Sequence, residues 1–93
     1  MDQDYSQVSP QELSILQRVS NETGYPLENL YSIYGYESNY GRHKNMNKGK
    51  YQGPFQIGPK EAQAWNINRY DLYESAKASV MAIPKRRESL KNN

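Results

Sequence analysis

Apolar residues in this chain fall into four short clusters at helical spacing, separated by stretches rich in Gly, Pro and Asn. Leu13, Leu16 and Val19, joined by Ile15, predict the buried face of a first helix. Its start is signalled by Ser9, Pro10 and Glu12: a capping hydroxyl, a proline at the first helical position and a glutamate three residues after the cap. Gly24 suits its C-terminal stop. Tyr25 and Pro26 turn the chain into a second helix from about Leu27 to about Asn39, ended by Gly41, with Leu30, Ile33 and Tyr34 on its apolar stripe. Gly58 and Pro59 open a third helix in which Ala62 and Trp65 point inward, ending near Asn66. Asp71 and Glu74 form a second cap-like pair, and Leu72, Tyr73, Ala76, Val80 and Ile83 mark a fourth helix that Pro84 should end or kink. Residues 1–8 read as a loose tail, and 85–93, with Lys85, Arg86, Arg87 and Lys91, as a frayed basic one.

Two stretches lack helical periodicity. Between Tyr40 and Gln52, Arg42, His43, Lys44, Lys48 and Lys50 are interleaved with Asn and Gly, which fits either a solvated loop or a contact for an anionic polymer. Gly53-Pro54-Phe55-Gln56-Ile57 reads as a short strand or turn, with Phe55 and Ile57 facing one way and Gln56 the other. The expected fold is therefore mainly α, about four helices with a short irregular or β-like turn at this motif, in one domain spanning residues 1–93. Gly35 is out of place within the second helix, where glycine costs about 1 kcal/mol relative to Ala. Either another stretch of backbone or a ligand approaches closely there, or the glycine is simply tolerated.

Composition adjusts this picture. Leu, Ile, Val and Phe supply only 15 of 93 residues, a proportion low enough to raise the question of disorder. The net charge of +2 lacks the self-repulsion of disordered chains, and nine Tyr with Trp65 provide the missing apolar area. A chain this size buries about 60 to 65% of its unfolded surface, so modest stability is expected unless a partner adds packing. With no Cys there is no disulfide to help, and the redox compartment stays open. The acidic, polar N-terminus is no secretory signal and no stretch would span a membrane, so no membrane insertion is expected. There is no GxxxxGK, GxGxxG or HExxH pattern, and His43 alone cannot anchor a zinc site, so it reads as a surface residue. No metal or cofactor is expected. The slight positive charge and the lack of a recognised motif argue against nucleic-acid binding.

One acidic residue stands apart. Leu30, Ile33, Tyr34 and Glu37 recur at offsets of three and four, which puts the Glu37 carboxylate on the apolar stripe of the second helix. A half-buried carboxyl group holds its proton more readily, because desolvation disfavours the charged form, and that suits general-acid work. An ordinary helix-terminal glutamate is the plain alternative.

The helix ending in Glu37-Ser38, followed by Gly53-Pro54-Phe55-Gln56-Ile57, resembles the soluble lytic transglycosylase family of the lysozyme superfamily, which typically has Gly-Leu-Met-Gln-Ile at the second motif. The resemblance covers roughly Gln11 to Ile83 and extends to the helix over Pro59 to Ile67 and the helix start at Asp71. It implies a small lysozyme-like domain of the bacteriophage type in which Glu37 is the catalytic acid and base. Ser38, Gln56 and the backbone from Gly53 to Phe55 would line the cleft. The implied substrate is the MurNAc-GlcNAc strand of peptidoglycan, with the muramoyl C6 hydroxyl as internal nucleophile and a 1,6-anhydro product, so one carboxylate suffices. The family's third motif, Ala-Tyr-Asn, has no counterpart here, and Tyr70 and Tyr73 are the candidates to replace its tyrosine as substrate-binding residues. Phe55 for the usual Met is a milder departure.

Two alternatives follow. One is a virion or secretion-apparatus module that keeps the fold with little activity and has other virion or tail proteins as partners. The other is a hydrolytic muramidase in which Asp71 or Glu74 positions water. The expected site of action is the cell wall, reached without a signal peptide through lysis or as part of the virion.

Overall fold

The computed structural model describes residues 4–43 and 49–91. The described residues form four helices: α1 (Pro10–Thr23), α2 (Leu27–Ser38), α3 (Pro59–Trp65) and α4 (Leu72–Lys91). Among the described residues the only β-type pairing is an isolated antiparallel bridge between Gln52 and Ile57. No helix among them is long and apolar enough to cross a membrane.

Local chemistry accounts for the helix ends. Ser9 Oγ accepts from the Glu12 N–H at 3.1 Å while Glu12 Oε1 accepts from the Ser9 N–H at 2.8 Å, so two orphan donors of the first turn are satisfied reciprocally. Gly24 closes α1 in the left-handed region at φ 78°. The end of α2 falls near Asn39 as expected, but Gly41 is not what ends it. Asn39 already leaves the helix at φ 49°, and Tyr40 at 59° and Gly41 at 84° continue the left-handed path. Asn tolerates this conformation, but for Tyr it is strained. Packing holds it there: the Tyr40 ring lies 4.8 Å from that of Tyr31 and 6.0 Å from that of Tyr34. The same ring explains Gly35, where an added Cβ would come within 2.5 Å of Tyr40 Cζ.

Helices α1, α2 and α4 pack on one another. Leu16 and Val19 from α1, Leu30, Tyr31 and Tyr34 from α2, and Ala76 and Val80 from α4 are buried together with Phe55 and Ile57 of the intervening turn. The small aliphatic core is thus extended by tyrosine rings, whose hydroxyls need partners when buried. Tyr34 donates to Glu12 Oε2 at 2.8 Å, and burial pushes its phenol well above the ordinary value. Burial would raise Glu12 too, but the Ser9 N–H and the Tyr34 hydroxyl outweigh it and hold the carboxyl below its usual range.

Three expectations require correction. The segment before Ser9 is not loose from residue 5 onward: the Tyr5 ring meets Tyr31 edge-on at 5.0 Å, and Val8 packs against the core. Pro84 does not end α4, whose backbone continues helical to Lys91; most residues after it are strong helix formers. The expected basic tail from residue 85 is therefore helical up to Lys91. Trp65 and Ala62 pack against the core as expected but only half-buried, because the seven-residue α3 lies over the edge of the three-helix unit. Lys44 and Lys48 of the basic loop lie outside the described residues.

Candidate active site

The turn after the basic loop is a tight hairpin. Gln52 and Ile57 exchange backbone hydrogen bonds at 3.3 and 3.0 Å, and four residues, Gly53 to Gln56, reverse the chain between them. Gly53 makes the reversal possible. It sits at φ 87°, and a Cβ there would come within 2.1 Å of the Arg69 carbonyl oxygen, so only glycine fits both the conformation and the space. The loop after α3 braces the hairpin from behind: Arg69 Nη1 donates to the carbonyls of Lys50 at 2.8 Å and Ile57 at 3.0 Å.

A buried hydroxyl ties this hairpin to the end of α2. Ser38 is 1% exposed. Its Oγ donates to the Pro54 carbonyl at 2.7 Å and accepts from the Gly41 N–H at 2.9 Å. Phe55 adds a stacked ring contact to Tyr34, with centroids 5.5 Å apart. Together these contacts fix Gln56 opposite the last turn of α2. Gln56 itself adopts φ 50°, and its Nε2 donates to the Gly53 carbonyl at 2.8 Å, so its side chain is held by its own turn.

Two adjoining hollows open between these elements. The larger, about 530 Å³, is lined by Ser32, Ile33, Tyr36 and Glu37 of α2, Phe55 and Gln56 of the hairpin, and Ser79 of α4. The smaller, about 210 Å³, runs round the end of α2 past Gly35 to Asn39 and is bounded by Gln56 and His43. Tyr36, Glu37 and Gln56 belong to both. Glu37 is half-buried and is the only carboxylate among the described residues that lines either hollow.

The sequence-derived site residues therefore separate into three groups. Glu37, Phe55 and Gln56 meet at the larger hollow. Ser38 borders the smaller hollow, but its hydroxyl is committed to backbone partners, and Gly53 lines neither hollow and is packed against Arg69. Tyr70 and Tyr73 line neither hollow. The Tyr70 hydroxyl donates to Gln52 Oε1 and braces the hairpin. Tyr73 turns towards α1, donating to Glu22 Oε1 beneath the Arg18 guanidinium, which lies 4.4 Å from the ring centre. Asp71 caps the first turn of α4 by accepting from the Glu74 N–H at 2.9 Å, and Glu74 borders a separate hollow beside Trp65 and Tyr73. Neither carboxylate lines the hollows that Glu37 borders.

Two residues at the site escape the sequence pattern. His43, read as a plain surface residue, is exposed but borders the smaller hollow, brought there by its backbone N–H donating to the Ser38 carbonyl at 2.8 Å. Tyr36 lies off the apolar stripe and gave no sequence signal, yet it borders both hollows. Among the described residues no group of three or more His, Asp or Glu is placed to hold a metal ion.

The chain matches no protein-family model, and comparison with curated proteins and with solved structures returns no significant match.

Proposed function

We propose that this chain is a peptidoglycan lytic transglycosylase that cleaves the β-1,4 bond between MurNAc and GlcNAc, with Glu37 as its acid and base. The observation that carries the reading is a half-buried glutamate held opposite Gln56 where two hollows join, with no other carboxylate lining them among the described residues. A glycosidase that activates water ordinarily needs two carboxyl groups within about 10 Å of each other across the bond. Asp71 and Glu74, the carboxylates available for that role, are engaged at the start of α4. A single carboxylate fits a substrate that carries its own nucleophile.

In the proposed reaction Glu37 gives its proton to the GlcNAc O4 as the C1–O4 bond breaks. The muramoyl C6 hydroxyl then attacks C1 and returns its proton to Glu37. A 1,6-anhydro ring forms, no water is consumed and the enzyme is regenerated. Gln56, fixed by the Gly53 carbonyl, is positioned to hydrogen-bond sugar hydroxyl or acetamido groups. Arg42 and Lys50, both exposed, supply positive charge suited to stem-peptide carboxylates. The wall is accordingly the proposed site of action, and a virion carrying the chain a proposed route to it.

A second reading is favoured by Tyr70 and Tyr73 being committed to structural partners: a virion module that holds the glycan strand in the same groove with little turnover. Clearing of purified sacculi by the wild-type chain and by Glu37→Gln separates the two. The enzymatic reading predicts clearing that the substitution reduces by about a hundredfold or more; sacculi that bind the folded protein without clearing support the module.

A further inference from the structure

The nine tyrosines of this chain are not equivalent. Tyr5, Tyr31, Tyr34 and Tyr40 form the ring cluster at the core, and Tyr25 packs against it. Tyr51 lies under the Lys50 ammonium, Tyr70 holds Gln52 and Tyr73 holds Glu22. Among the described residues Tyr36 alone of the nine enters none of these contacts. It is 89% exposed, and a large aromatic side chain in water loses the burial that ordinarily stabilises it. A single exposed ring is unremarkable on its own. The position of this one gives it meaning: it precedes Glu37 and borders both hollows that meet at that carboxylate.

We infer that Tyr36 is the stacking platform for a sugar ring of the glycan strand as it passes Glu37, and so a binding and specificity residue of this groove. The inference rests on the reading of the groove as a glycan site. A pyranose presents one face of axial C–H bonds, slightly positive, and a phenol ring presents a negative π face that complements it. Hydroxyl and acetamido groups around the sugar rim remain for Gln56 on the facing wall. Because Tyr36 belongs to both hollows, the ring it holds sits next to the bond that Glu37 addresses, and the chain extends from there into each side. Tyr36 therefore favours a β-linked hexosamine polymer long enough to lie along both hollows.

The test uses the full chain carrying Glu37→Gln, so that glycan is bound without being consumed. Affinity for chitohexaose and for soluble, uncrosslinked peptidoglycan strands is measured by calorimetry, with and without a second substitution at Tyr36. Tyr36→Ala is expected to weaken binding about 3- to 10-fold, the loss appropriate to one aromatic contact. Tyr36→Trp and Tyr36→Phe, which keep the ring face, restore most of it. The midpoint of thermal unfolding should be the same in all of them, since the side chain is exposed. Glycan affinity unchanged by Tyr36→Ala overturns the platform while leaving the Glu37 reading intact. Glu37→Gln protein that binds neither glycan overturns both. Tyr36-dependent binding together with a wild-type chain that never cleaves supports the platform and removes only the enzymatic reading.

Discussion

Ser38 is the residue on which the geometry around Glu37 depends, although its hydroxyl is turned to backbone partners. Its hydroxyl is the single link that both closes the left-handed exit of α2 and holds the hairpin at Pro54. Replacing it with Ala leaves a buried carbonyl and a part-buried N–H without their partner, a loss of about 1–3 kcal/mol. Denaturant titration of Ser38→Ala should show this as a lower midpoint with an unchanged slope, and sacculus clearing should fall even where the protein remains folded. Gly53→Ala is a harsher change. It combines a left-handed backbone with a Cβ driven into the Arg69 carbonyl, and strain plus overpacking should cost about 2–4 kcal/mol. A Gly53→Ala protein as stable as wild type would mean that the hairpin is not built as described.

At the scale of elements, α1 and α4 are clasped by a polar cluster on their exposed side. Glu22 accepts from Arg18 at 3.0 Å and from Lys77 at 3.2 Å and takes the Tyr73 hydroxyl as well. The hydroxyl of Tyr73, followed by Arg18 and Lys77, draws the Glu22 carboxyl down from 4.5 to about 2. The depressed value fixes the sign of its linkage to folding. The stabilisation is fully present above the unfolded value of 4.5 and is lost as pH falls through about 2. Thermal unfolding of wild type and Glu22→Gln should therefore differ most near neutral pH and converge as the solution is acidified towards pH 2. The difference should be small and reduced by salt, because the partners are solvent-exposed.

The same cluster shows what a sequence can and cannot reveal. Helix starts, the apolar stripes and the placement of Glu37 follow from local spacing, and all are legible in residues close together in the chain. The end of α2 near Asn39 was legible, but the left-handed path that runs on through Tyr40 was not, because it depends on Tyr40 packing against Tyr31 and Tyr34. The contact of Tyr73 was not legible for a related reason: its partner Glu22 lies 51 positions earlier, and nothing near Tyr73 announces it. Ser38 and Gly53 stand out in the sequence, but their roles as a clamp and a turn depend on Pro54 and Arg69. Tyr36 is the converse case: it stands out by its exposure beside Glu37, and no periodicity reports that.

At the scale of the whole molecule, three helices and a hairpin bring two stretches of chain, α2 and Gly53 to Ile57, to opposite walls of one groove. The core beneath is small and rich in tyrosine, so the groove is held by particular hydrogen bonds more than by bulk packing. The central claim is that Glu37 works alone there. The most direct test is mass spectrometry of the products released from purified peptidoglycan by the wild-type chain, with Glu37→Gln as control. Muropeptides ending in 1,6-anhydro-MurNAc, one water lighter than hydrolytic products, should appear with wild type and be lost in the control. Products carrying the added water, or anhydro products that persist with Glu37→Gln, would contradict it.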